Sequence, residues 1–322
     1  MLKDIPAMKR WIFSALLMLL ILPAGFAQSA KKVEKELREY VYTLAGEEFG
    51  GRPAGTLQDT LTMEYLRDFL AAQKGIRLLY DDGVQPFTQQ SWFSRINSFN
   101  VVGFIEGSDP VLKNEIILIG AHYDHMGLEA DGWGEEPKIK YGADDNASGT
   151  AMVMALAKHL ARGRKHLKRS VMIAFFGAEE RGLVGSAFMA KNLPEGIGSD
   201  NIACMVNFDM VGRLTPERGF IFFGLGSGTE LDGYLRGIPA PFPEGTPVNY
   251  NASVFAASDH SSFYDQGIPA FMMMTGIHAD YHKSLDTPDK INYLGMAMIY
   301  RYAKDIIKGL TDGKQITYQK AE

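Results

Sequence analysis

Five short polar segments, most of them at or just after the end of an apolar, β-rich run, limit what this chain can fold into. They read HYD at 122–124, GADDNASG at 142–149, AEE at 178–180, NFDMVG at 207–212 and YHKSLD at 281–286. The runs at 99–105, 116–121, 171–176, 202–209, 219–223 and 270–275 are predicted strands. Between and around them, helical spacing appears at 31–45, 60–73, 148–160, 184–192, 229–236 and 292–310. Alternation of this kind predicts a three-layer α/β/α sandwich around a mainly parallel mixed sheet. In such open sheets ligands gather outside the carboxyl ends of the strands, where four of the five segments would converge. The stripe expected to face the core is Val33, Leu37, Val41 and Leu44 in the first helix. In the second it is Leu61, Tyr65, Phe69 and Ala72, widened by Leu66 and Leu70.

The converging residue types are histidines and carboxylates, the mixture that suits zinc. The single cysteine, Cys204, falls inside a predicted strand and excludes both an internal disulfide and a thiolate cage. A lone histidine is most often a structural residue, but five such segments together are hard to explain as packing. Neither an H-E-x-x-H helix nor a G-x-S-x-G elbow occurs.

Taken together the segments resemble the dizinc aminopeptidases of metallopeptidase clan MH, a group that includes bacterial leucyl aminopeptidases and aminopeptidase Y. The match runs from Arg52 to the C-terminal helix. The resemblance implies two zinc ions per chain, His122 and Asp209 on one, Glu180 and His282 on the other, with Asp145 bridging. It implies Glu179 as general base, Asp124 as the carboxylate that orients His122, and Tyr281 as a donor to the oxyanion. It also implies a cis Asp145–Asn146 bond. The activity implied is hydrolysis of N-terminal residues from peptides by water activated between the two ions. Asp144 is expected to stabilise its loop, His260 to be structural or to line the pocket, and His125 to be a spare ligand beside a complete set. The run 271–274 is expected to be a buried strand rather than a binding surface.

Three rivals share much of this pattern. A zinc-dependent glutaminyl cyclase keeps most of the ligands but binds one zinc, although GADDNASG is the more peptidase-like form. A carboxypeptidase of the same clan would need a cationic pocket, for which Arg213 and Arg181 are the nearby candidates. A non-enzymatic protein on a decayed scaffold fits less well, because every ligand and the base are present.

The N-terminus resembles an export leader. Lys3, Lys9 and Arg10 precede an apolar run at 11–22 broken only by Ser14, then Pro23 and the small-x-small tripeptide at 25–27. Asp4 is unusual there, which makes Met8 an alternative start. The expectation is a signal peptide over 1–27 and one catalytic domain over 28–322, periplasmic or secreted, with no stable membrane anchor after cleavage. A formal net charge of -5 and the lack of a basic run argue against nucleic acid as a partner and leave peptides as the expected substrate. Oligomeric state is open.

Overall fold

A computed structural model of the protein describes residues 24–90, 95–255 and 257–320, with side chains from residue 30 onward. The expected leader, 1–27, lies outside the described residues except for its last four positions. The described chain opens with α1 (Ala24–Leu44) and α2 (Leu57–Ala71). Thr56 caps α2 by accepting a hydrogen bond from the amide of Asp59 at 3.3 Å. Three strands follow, β1 (Arg77–Leu78), β2 (Val84–Gln90) and β3 (Arg95–Ile105), then β4 (Ile116–His122). A small hairpin, β5 (Gly127–Glu129) and β6 (Lys138–Lys140), precedes α3 (Gly149–Gly163). The chain continues through β7 (Ser170–Phe176), α4 (Val184–Lys191) and β8 (Ile202–Phe208). β9 (Phe220–Phe223), α5 (Leu231–Arg236), β10 (Val248–Tyr250), α6 (His260–Tyr264), β11 (Ala270–Met274) and α7 (Tyr293–Thr311) complete it.

One mixed sheet runs in the order β1-β3-β7-β4-β8-β11-β9-β10, with β2 also paired to β3. Its centre, β7-β4-β8-β11, is parallel, while β1, β2 and β3 pair antiparallel on one side and β9 turns antiparallel to β11 on the other. β4 and β7 are buried along their whole length, the signature of central strands covered on both faces. Alternation then sorts their side chains. Ile117, Ile119, Val171, Ile173, Phe175, Val206 and Phe208 face α1, α3 and α7, whose Leu37, Val41, Leu156, Ile299 and Ile306 complete one core. Leu118, Met172, Ala174, Phe176 and Met205 face Met189 of α4 and Phe263 of α6 on the other side. This is the expected three-layer sandwich.

The helix periodicities need two adjustments. α1 is longer at its start than its pattern predicts, though Leu37, Val41 and Leu44 are fully buried as expected. In α2 the buried stripe is Thr62, Met63, Leu66 and Leu70; Leu61, Tyr65 and Phe69 are half-buried and Ala72 is exposed. The residues expected only to widen the stripe are its centre, because α2 packs against β3 along that flank. The short strands β1, β5, β6 and β10 and the helix α6 have too few residues to show a period. Among the described residues no helix is long and apolar enough to cross a membrane.

Candidate metal centre

The carboxyl ends of the parallel strands deliver the polar segments to one place. β4 ends on His122 itself, and Asp209 follows β8 directly. After β7 the chain turns through Ala178 (φ +56°) into a short turn at Glu179–Arg181. His282 itself has φ +56° and Met210, next to Asp209, +52°. Such backbone costs about 1–3 kcal/mol per residue and concentrates where side chains must be aimed. Asp145 lies in an irregular turn at Ala143–Ser148 before α3, and its bond to Asn146 is cis, as the resemblance implies. That turn needs both of its flanking glycines. A Cβ on Gly142 (φ +56°) would sit 2.1 Å from the Asp145 carbonyl oxygen, and one on Gly149 2.2 Å from that of Phe208. Asn146 then ties the turn to β8, donating to the Phe208 carbonyl at 2.9 Å and accepting from the amides of Gly149 and Met210.

Two groups of ligand atoms result, sharing Asp145. His122 Nε2 lies 3.4 Å from Asp145 Oδ1 and 3.6 Å from Asp209 Oδ1. On the other side His282 Nε2 lies 3.0 Å from Asp145 Oδ2 and 3.3 Å from Glu180 Oε2. Zinc bonds of about 2.0–2.2 Å in a tetrahedral arrangement separate neighbouring ligand atoms by about 3.3–3.6 Å. Three of the four spacings fall in that range and the fourth just below it. His282 Nε2 is buried within 3.3 Å of two carboxylates and in hydrogen-bond alignment with neither, a setting that suits a ligand to a shared ion. The residues therefore fit a pair of zinc ions.

Electrostatics agree. Burial works against charge on His122, yet Glu179, Asp145 and Asp209 hold its imidazole well above the usual range. Burial drives the Glu179 carboxyl well up, opposed by His122 and reinforced by Asp259, Asp209 and Asp124. Asp145, Asp209 and Glu180 are paired with histidines and, among the described residues, with no lysine or arginine, and such a buried excess of carboxylates favours a bound cation. Beside these groups opens a cavity of about 470 Å³. His122, Asp145, Glu179, Asp209 and His282 form its polar side, and Ile221, Phe223, Met272, Met274 and Ile277 its apolar wall. Tyr281 lines the same cavity, its ring stacked on that of His282 at 3.7 Å.

A family model, Peptidase family M28, matches residues 100–307, the stretch that contains every one of these groups. The chain belongs to peptidase family M28. A relative, an aminopeptidase of Pseudomonas aeruginosa, is 32% identical over a 197-residue match that covers 56% of this chain and 32% of that protein. The chain spans about half or less of the length of the curated relatives it matches first. Among solved structures, an aminopeptidase from Aneurinibacillus sp. strain AM-1 is similar with a TM-score of 0.67 at 16% identity, covering 91% of this chain and 98% of that one. Glutaminyl cyclase of Porphyromonas gingivalis is similar with a TM-score of 0.71 at 16% identity, covering 86% and 98%. At these identities both likenesses speak for the fold.

In this M28 chain the eight residues expected at the site come together in space, with one difference in how they connect. The Asp124 carboxylate was expected to hold the second nitrogen of His122. Instead His122 Nδ1 lies 3.2 Å from the Asp124 backbone carbonyl, and the carboxylate stands off at 3.8 Å. That carboxylate accepts from the amides of Glu179 (2.9 Å) and Glu180 (3.2 Å), so it shapes the turn that carries both glutamates. Asp144 stabilises its loop as expected, accepting from the Gly212 amide and meeting His278 Nε2 at 3.1 Å. His260 is buried and structural, and Cys204 is buried in β8. The run 271–274 is a buried strand, but Met272 and Met274 also line the cavity, which corrects the expectation that it offers no binding surface.

Sequence reasoning missed three groups. Arg52, fully buried, donates to the carbonyls of Tyr123 (2.6 Å), Leu44 (2.6 Å), Tyr141 (2.9 Å) and Gly142 (2.9 Å). Asp286 accepts from the amides of Asp144 and Asp145 and from Arg213. Asp259 is buried near Glu179, with neither carboxylate oxygen hydrogen-bonded. Asp286 ends the segment at 281–286 and Arg52 begins the family match, but a charged residue in a loop gives no periodic signal, so the roles of these two and of Asp259 follow only from the fold.

Proposed function

We propose that the protein is an exported dizinc exopeptidase that removes N-terminal residues, preferentially apolar ones, from peptides. His122 and Asp209 would hold one zinc, Glu180 and His282 the other, and Asp145 both. Such a pair supplies Lewis acidity toward the peptide carbonyl and lowers the pKa of water toward about 7. The remaining chemistry belongs to the chain. Glu179, at the cavity edge with its carboxyl pushed up by burial, takes the proton of the attacking water and returns it to the leaving amide nitrogen. Burial and four nearby carboxylates keep the Tyr281 phenol protonated, so it can donate to the carbonyl oxygen as negative charge develops there. The turn organised by Asp124 keeps Glu179 and Glu180 in separate roles.

The observation that carries an aminopeptidase over a carboxypeptidase is the sorting of charge in the cavity. Its polar lining consists of carboxylates, histidines and a tyrosine, with no lysine or arginine among the described lining residues. An N-terminal ammonium is matched there and a C-terminal carboxylate is not. Arg213 lines a different pocket with Arg218, His278 and Lys290, and Arg181 is exposed. The apolar wall supports a Leu-, Met- or Phe-sized first side chain. The relatives named aminopeptidase support the same reading. Export is supported by the leader-like sequence over 1–27.

A mixed pool of peptides with free, N-acetylated and C-amidated ends, followed by mass spectrometry, tests the proposal. Expected is stepwise loss of single N-terminal residues from free and C-amidated peptides and none from acetylated ones. Ammonia release from N-terminal glutamine without shortening would replace this reading with a glutaminyl cyclase. Cleavage indifferent to acetylation and blocked by C-terminal amides would replace it with a carboxypeptidase. Expression in a bacterial host should yield a mature protein beginning at Gln28 outside the cytoplasm.

A further inference from the structure

The geometry points to His125 as a positioning residue that holds Glu180 by one of its two oxygens and so sets how that glutamate meets the second metal. The inference rests on the two-metal reading above. His125 lies three residues beyond His122, on the link from β4 to β5, and is buried. Its Nδ1 lies 2.7 Å from Glu180 Oε1. Its Nε2 is buried and has no hydrogen-bond partner. The ring is wedged over Gly142, where an added Cβ would come within 2.5 Å of the imidazole Cγ, and it meets the His282 ring edge-on at 5.7 Å. Its amide is also tied, donating to the Arg52 carbonyl at 3.3 Å.

His125 belongs to a group of donors, with Asp145 and Glu180, that could itself hold an ion. Distance decides between ligand and support. Two ligands on one tetrahedral zinc stand about 3.3–3.6 Å apart, whereas a charge-assisted N–H···O bond spans about 2.7–2.9 Å. His282 and Glu180, at 3.3 Å and in no hydrogen-bond geometry, fit the first case. His125 and Glu180, at 2.7 Å and hydrogen-bonded, fit the second. An ionised carboxylate only accepts, so the proton sits on His125 Nδ1. Glu180 Oε1 is thereby occupied, and Oε2, the oxygen beside His282, is left for the metal. Without His125 the glutamate would be free to rotate or to turn both oxygens inward.

The test is zinc binding by chelator competition on wild type, His125→Leu, His125→Asn and His125→Gln, with melting of the zinc-free proteins as a check on folding. An asparagine amide can reach the place of Nδ1; a glutamine amide reaches that of Nε2. Wild type should hold two zincs. The Leu and Gln variants should lose about 10–100-fold in affinity for one of them, and the Asn variant should stay within about threefold of wild type. Should the Leu variant fail to fold, the Asn and Gln pair still decides. Undiminished binding of the second zinc by the Leu or Gln variant overturns the inference. Equal losses in the Asn and Gln variants also overturn it, because they would show that ring packing matters and the hydrogen bond does not. A wild type holding fewer than two zincs sinks the two-metal reading and this inference with it, whereas two zincs in wild type with unchanged affinity in the Leu and Gln variants sinks this inference alone.

Discussion

Single carboxyl groups in this site owe their roles to what surrounds them. Glu179 and Glu180 are adjacent in sequence and alike in chemistry. The Asp124 carboxylate pins both of their amides, Glu180 meets His125 and His282, and Glu179 is left facing the cavity. Replacing Glu179 by Gln removes the proton acceptor and keeps the shape. Turnover is expected to fall about 10²–10⁴-fold while zinc content by elemental analysis stays at the wild-type level. Activity within a few-fold of wild type would remove Glu179 from the mechanism. His260 makes a second residue-scale prediction. Burial, with neither ring nitrogen hydrogen-bonded, pulls its imidazole down to about 4. The folded pKa is below the unfolded one, so the unfolded chain binds more protons between them. Stability is therefore lost as pH falls from about 6.5 toward 4, by on the order of 2 kcal/mol from this group at pH 5. Urea unfolding of the zinc-free protein at pH 7 and pH 5 should show a smaller acid loss in His260→Phe than in wild type; equal losses would remove His260 as the cause.

At the scale of elements, strands supply positions and loops supply aim. Arg52 shows how loops are held together: one guanidinium bridges the end of α1, the chain just past His122 and the residues just before Asp145. Burial lowers its pKa only to about 10, so it stays charged at neutral pH. Lysine keeps the charge but not the planar fork, and each buried carbonyl left unpaired costs about 1–3 kcal/mol. Arg52→Lys is expected to destabilise by about 3–5 kcal/mol in denaturant unfolding and to weaken zinc binding, although it touches no ligand. A loss under about 1 kcal/mol would mean that water replaces the fork. The elements legible in the sequence were the strands β3, β4, β7, β8, β9 and β11 and the helices α1, α2, α3, α4, α5 and α7, each carried by an apolar run or a helical stripe. β2 was hidden because Gln85, Gln89 and Gln90 interrupt its apolar pattern and Pro86 argues against a strand. The stripe of α2 was misplaced because half-buried aromatics such as Tyr65 and Phe69 carry as much hydrophobic signal as the buried Leu66 and Leu70.

At the scale of the whole molecule, the proposed metal pair draws on every polar segment at once. Asp145 is the shared member, with Oδ1 toward His122 and Oδ2 toward His282. Asp145→Ala should therefore weaken both zincs, where Asp209→Ala and His282→Ala should each weaken one. Calorimetric zinc titration of the three variants checks this, and a protein fully active with a single zinc would contradict it. The sequence by itself determined which residues could ligate and in what layered fold, because ligand chemistry is a property of side-chain type and the sandwich follows from apolar runs of strand and helix length. Tertiary structure alone decided which nitrogen meets which oxygen. It turned Asp124 from a partner of His122 into the organiser of the glutamate turn, placed His125 against Glu180, and made a cavity wall of Met272 and Met274. Those outcomes depend on backbone direction and separation to within an ångström, set where segments more than fifty residues apart pack together, and no local pattern encodes that.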